Sequence, residues 1–487
     1  MNLYEMSATK LSKMIKSKEI SALELTNSIF SRINSVEPKI QSYVTLCEED
    51  AIKTAKLVDE KISKGEKTSP LAGIPIGIKD NICTKNILTT CSSKMLHNFI
   101  PPYDATVIKK LKNANAVITG KLNMDEFAMG SSTETSYFKT TTNPYNTNCV
   151  PGGSSGGSAA SVAAGEAIMS LGSDTGGSIR QPASYCGVVG LKPTYGSISR
   201  YGLIAFASSL DQIGPITKSV DDSALLYSII SGQDPLDATS RKVNHIDWDY
   251  NFSDISMIKG LKIAVPEEYF SDQIDDDIKE AVFNVIKMLE KNGAKISKIS
   301  LPSTPHALSA YYIISSAEAS SNLARYDGVH YGYRSENYST LTEMYENTRT
   351  EGFGNEVKAR IMLGTYILSS GYYDTYYKRA KLLQSKIISE FQETFKEYDV
   401  ILTPTVPTPP FPIGAEINDA TKMHSNDMNT VASNISGIPA ISLPCCLNKD
   451  ALPIGFQLMC NHFEEEKLFK IAKCCELLIG NIKLPNI

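Results

Sequence analysis

The sequence predicts an α/β protein built on a sheet with helices on both faces, and two observations carry that expectation. Residues 261–265 read as a strand, and Ile278, Ala281, Val282, Val285, Ile286 and Leu289 then keep helical spacing as far as Asn292 and Gly293. Residues 295–299 follow with the alternation of a second strand, which completes a β-α-β unit. The 487 residues are 42% hydrophobic, enough for a sizeable core.

In chain order, Ser21 and Glu24 form a capping box, and Leu25, Ile29 and Ile33 continue one helix face. The first 60 or so residues are expected to be a helical segment packed on the core. Residues 73–80, GIPIGIKD, are a short apolar run that ends abruptly in charge. It reads either as a core strand with a surface lysine or as a strand that delivers a buried Lys79. Asp104 is expected to cap a helix leading into a strand at 116–119. Residues 240–260 are polar and weakly patterned, and read as a surface connection within one domain spanning 1–487.

Residues 151–187 hold 9 of the 31 glycines, so the backbone there is forced through tight turns or brought close to something else. Two Gly-Ser clusters flank a small-residue helix at 159–167 and an apolar strand at 168–171. Each cluster therefore sits at the end of an element, where catalytic loops usually lie.

The chemistry narrows by elimination. GGSSG at 152–156 fits the letters of a nucleophile elbow, but the preceding stretch is an Asn-rich loop and no later histidine sits in a distinctive turn. A phosphate loop lacks its lysine. A serine can instead be activated by a lysine that burial keeps neutral, and Lys79 fits that need. In DTGGSIRQPA at 174–183, Ser178 is the candidate nucleophile, with the backbone N–H groups of Thr175, Gly176 and Gly177 as oxyanion donors.

The net charge of −5 argues against a broad nucleic-acid surface. The ten scattered cysteines, with Cys445-Cys446 and Cys474-Cys475 adjacent rather than CxxC, read as reduced thiols, and no metal site is expected. No basic-then-apolar signal pattern opens the chain and no apolar run is long enough for a membrane, so a cytoplasmic protein is expected.

GGSSGGS at 152–158, DTGGSIRQPA at 174–183 and GIPIGIKDN at 73–81, in those positions, resemble the amidase signature family. The resemblance implies a large mixed sheet covered by helices and a Ser-cisSer-Lys triad. Ser178 would be the nucleophile, Lys79 the base and Ser154 the relay, with a cis peptide after Gly153. Within that family, residues 310–328, 352–364 and 437–444 are similar to the glutaminase subunits of tRNA-dependent amidotransferases.

This likeness implies glutamine as substrate, with Tyr311, Arg360 and Asp427 at the binding positions. Glutamine carries an α-carboxylate and an α-ammonium, so a fixed cation and a fixed anion suit it. Ala359 and His424 stand where many relatives carry a basic residue and a tyrosine. The likeness further implies no cofactor on this chain and a heterotrimer with B and C subunits. ATP, Mg2+ and Glu-tRNA(Gln), with Asp-tRNA(Asn) left open, would belong mainly to the B subunit. Two alternatives remain at this point, a stand-alone amidase acting on another small amide and a non-catalytic scaffold.

Overall fold

The computed structural model describes residues 2–244, 246, 254–415, 419–480 and 482–487. Its strands are β1 (Tyr43–Leu46), β2 (Pro75–Lys79), β3 (Val117–Leu122), β4 (Met169–Asp174), β5 (Val189–Lys192), β6 (Gln212–Thr217), β7 (Lys262–Pro266), β8 (Lys295–Ile299), β9 (Val400–Pro404), β10 (Ala440–Leu447) and β11 (Pro453–Met459). All eleven join one sheet, in the order β1-β3-β2-β4-β6-β5-β10-β11-β9-β7-β8. The sheet is mixed. β3-β2-β4 and β9-β7-β8 are parallel runs, and the pairs between them are antiparallel.

Side chains of a strand alternate between faces. Ile263 and Val265, Val400 and Leu402, and Ile441 and Leu443 enter one buried cluster. Ala264, Ile401 and Ala440 enter another. The first cluster also takes helix Asp276–Lys291, and the second takes helices Ala307–Asn322 and Lys378–Glu397, so helices cover both faces.

The β-α-β unit forms as read, with β7 and β8 parallel on either side of helix Asp276–Lys291, which ends at Asn292 and at Gly293 with φ +96°. The Ser21–Glu24 capping box opens helix Ala22–Ile40. Two expectations need correction. The N-terminal segment is not purely helical, because Tyr43–Leu46 is strand β1, antiparallel to β3 at the sheet edge. Asp104 does not cap helix Thr106–Asn113, whose N-cap is Ala105. Its carboxylate instead accepts the Lys85 N–H at 2.8 Å and pairs with Lys112 at 2.9 Å, and one short side chain cannot serve both ends. The connection read at 240–260 falls partly outside the described residues. Among the described residues, no helix is long and apolar enough to cross a membrane.

Candidate active site

Lys79 is the last residue of β2, which is paired in parallel on one side by β3 and on the other by β4. That position removes the ammonium from water altogether, and Lys79 and Ser154 are both 0% exposed while Ser178 keeps 8%. The strand is therefore a core strand with a buried lysine rather than a surface one. Burial pushes the Lys79 amine down to about 7, against the pull of the Asp125, Asp174 and Asp211 carboxylates. Its Nζ lies 2.8 Å from Ser154 Oγ, 2.8 Å from Ser155 Oγ and 3.3 Å from the Ser173 carbonyl.

Two loops face this amine. The first carries Ser154 across a cis Gly153–Ser154 peptide and opens helix Gly156–Ala164. A side chain at Gly153 would run into Asp125 Oδ2, and one at Gly157 would meet the Asn123 carbonyl at 2.5 Å, which is why the cluster is glycine-rich. The second loop leaves β4 at Asp174 and carries Ser178, and its Ser178 carbonyl accepts the Ser155 N–H at 3.1 Å. A Cβ on Gly176 would stand 2.5 Å from Tyr311 Cζ, so this backbone lies against the tyrosine ring.

Of the three expected oxyanion donors, Gly177 departs from expectation. At φ +138° its N–H turns inward and donates to Asp174 Oδ1 at 2.8 Å. Asp174 is the post on which the loop hangs. Arg180 Nε and Nη2 each reach one of its oxygens at 3.1 Å, with both side chains fully buried. Burial alone would raise this carboxyl, but the Arg180 guanidinium beside it holds it at about 2. The remaining Arg180 N–H groups meet the Thr430 carbonyl, Ser433 Oγ, Gln457 Oε1 and Asn434 Oδ1.

Tyr311, Arg360 and Asp427 come together next to this loop. A side chain at Gly364 would collide with the Ser316 carbonyl, and its absence lets helix Asn355–Leu368 lie close against helix Ala307–Asn322. Tyr312, between the two charges, donates to Asp427 Oδ2 at 2.9 Å and has the Arg360 guanidinium carbon 4.4 Å from its ring centroid. Burial pushes Asp427 up to about 7, with the Tyr312 hydrogen bond and Arg360 pulling the other way.

Arg360 is also committed on one side, where its Nε donates to Glu356 Oε1 at 2.6 Å. Its Nη1 is buried with no partner among the described residues. His424 belongs to this group. Its ring stacks on Tyr312 at 4.0 Å, and its Nε2 lies 3.3 Å from Glu356 Oε1. Ala359 is exposed and takes no part.

Sequence reasoning missed Ser155, Asp125, Tyr312 and the Asp174–Arg180 fork. The fork left a trace. Asp174 and Arg180, with Glu166, are the only charges between Lys139 and Lys192, and opposite charges isolated in so uncharged a stretch are expected to pair when buried.

The architecture and the motifs can be set beside known proteins. The chain is 56% identical over 476 residues to the glutamyl-tRNA(Gln) amidotransferase A subunit of Carboxydothermus hydrogenoformans, covering 98% of each chain. It superposes on the crystal structure of the glutamyl-tRNA(Gln) amidotransferase A subunit from Thermotoga maritima with a TM-score of 0.83 and 41% identity, over 100% of this chain and 99% of that one. Native peptide amidase from Stenotrophomonas maltophilia gives the same TM-score of 0.83 at 26% identity, over 99% and 98%. A family model described as Amidase matches residues 24–469, which takes in Lys79, both Gly-Ser loops and the Tyr311–Arg360–Asp427 group, and the chain belongs to the amidase family.

Proposed function

We propose that this chain is the glutamine-hydrolysing A subunit of a cytoplasmic tRNA-dependent amidotransferase, working in a heterotrimer with B and C subunits, with residues 1–487 as one amidase domain. The observation that carries the reading is the buried cation and the buried carboxyl that flank Tyr312 beside the Ser178 loop. Free glutamine brings one carboxylate for the unpartnered Arg360 Nη1 and one ammonium for Asp427. Identity of 56% to an A subunit, against 26% to a peptide amidase, supports the same substrate.

In this mechanism neutral Lys79 accepts the Ser154 proton as Ser154 accepts that of Ser178. Ser178 Oγ adds to the side-chain amide carbon of glutamine, and the Thr175 and Gly176 N–H groups hold the oxyanion. The C–N bond then breaks, the proton passes back through Ser154 to the leaving nitrogen, and ammonia departs. Water hydrolyses the γ-glutamyl ester by the same relay. The B subunit would hold ATP and Mg2+ and would use the released ammonia to convert Glu-tRNA(Gln) to Gln-tRNA(Gln).

The test is to co-express the chain with B and C subunits and follow glutamine-dependent conversion of Glu-tRNA(Gln). Product is expected only with all three subunits present. Full turnover of a simple amide by this chain alone, with no tRNA product from the assembly, would replace this reading with that of a stand-alone amidase.

A further inference from the structure

The two adjacent cysteine pairs behave differently in the fold. Cys474 and Cys475 lie on helix Glu465–Ile479 and are both fully buried, and successive residues of a helix do not face each other. Cys445 and Cys446 lie on β10, where neighbouring side chains ordinarily point to opposite faces. There the register with β11 slips between Pro444, opposite Gly455, and Cys446, opposite Ile454. A bulge of this kind sets two residues against one and interrupts the alternation. Both cysteines pack against the same buried cluster, and both are half-buried free thiols. Cys445 Sγ donates to the Ile454 carbonyl at 3.3 Å, and the neighbouring Cys445 thiol holds the Cys446 thiol below its usual value.

We propose that Cys445 and Cys446 form a vicinal dithiol site that chelates a soft, thiophilic centre of the trivalent-arsenic class. A disulfide between them is disfavoured, because Cα atoms across a trans peptide are about 3.8 Å apart whereas disulfides want roughly 4.4–6.8 Å. An atom held between the two sulfurs makes a ring one member larger and needs no S–S bond. With an organic arsenic(III) oxide, two As–S bonds form and the oxide oxygen leaves as water with the two thiol protons, so nothing is oxidised or reduced. The site stands on the bulge alone and does not depend on the glutaminase reading.

The experiment treats the full-length folded chain with phenylarsine oxide and reads intact mass, followed by alkylation mapping of the wild-type protein. One phenylarsenic group per chain is expected, stable to excess monothiol and removed by dimercaptopropanol, with Cys445 and Cys446 protected from alkylation. Cys445→Ala and Cys446→Ala should each lose the adduct, and Cys47→Ala should keep it. The map on the wild-type chain keeps the test decisive if a variant does not fold. No adduct on the folded protein, or protection mapping to other cysteines, would overturn the proposal. So would conversion of the pair to a disulfide by hydrogen peroxide in place of arsenical capture.

Discussion

Lys79 Nζ lies 2.8 Å from Ser154 Oγ at the closed end of a strand paired on both sides, with neither side chain exposed to solvent. An amine so placed is expected to exchange its proton with a serine hydroxyl rather than with bulk water. Because burial holds the lysine near 7, kcat/KM for glutamine should rise with pH through about 7 and level off above it. A flat profile from pH 6 to 9 would remove Lys79 as the base.

Lys79→Ala should lose about 10²–10⁴-fold in ammonia release, the usual worth of a positioned base. Lys79→Arg should not restore it, since a guanidinium stays protonated at neutral pH. Single-turnover assays with glutamine decide this, and rescue by arginine would mean that a fixed charge suffices.

Ser178→Ala should abolish ammonia release while leaving the thermal transition within a degree or so, because only a hydroxyl with 8% residue exposure is removed. Assembled with B and C subunits, the same variant should still make Gln-tRNA(Gln) from ammonium salt. Loss of product with both nitrogen donors would place Ser178 outside glutamine chemistry.

Arg360→Ala and Asp427→Ala should each cost about 2–5 kcal/mol in kcat/KM for glutamine, the penalty of leaving a substrate charge unpaired. Ammonium-dependent product should survive both changes. If KM for glutamine is unmoved in either variant, that residue does not touch the substrate.

Arg180→Ala should destabilise the fold by about 3–5 kcal/mol, since Asp174 would stay buried without its counter-charge. Arg180→Lys should recover only part, because a single ammonium cannot make both bonds of the fork. Asp174 is held below the ordinary carboxylate value, so its contribution is fully present above about 3.9. It is lost as pH falls through about 2. Urea titrations of the two variants and the parent at pH 7 measure this, and a midpoint unchanged in Arg180→Ala would show that the fork carries no stability.

What could be read from the chain alone was whatever is encoded locally. The β-α-β unit at 262–299 follows from a change of hydrophobic period, and the Ser21–Glu24 box from a spacing of three residues. The Gly-Ser loops announce themselves because only glycine tolerates the close backbone approaches at 153 and 157. Lys79 and Ser178 stood out as candidates because each lies inside a short motif, while Ser154 entered only through the resemblance those motifs carry.

The tertiary structure decided the rest, because it depends on atoms far apart in sequence. Taken by itself, the run at 73–80 favours a surface Lys79 until β3 and β4 close on either side of it, and only that burial lowers its pKa. Asp104 reads as a helix cap until Lys85 and Lys112 compete for its carboxylate. Gly177 reads as an oxyanion donor until Asp174, itself held by Arg180, takes its N–H. Arg180 in turn reaches groups at 430, 433, 434 and 457. Hydrophobic period and turn chemistry are properties of a few consecutive residues and survive in the string of letters. Desolvation, ion pairing and the aim of a backbone N–H arise only when distant segments exclude water together, and they set the chemistry of this site.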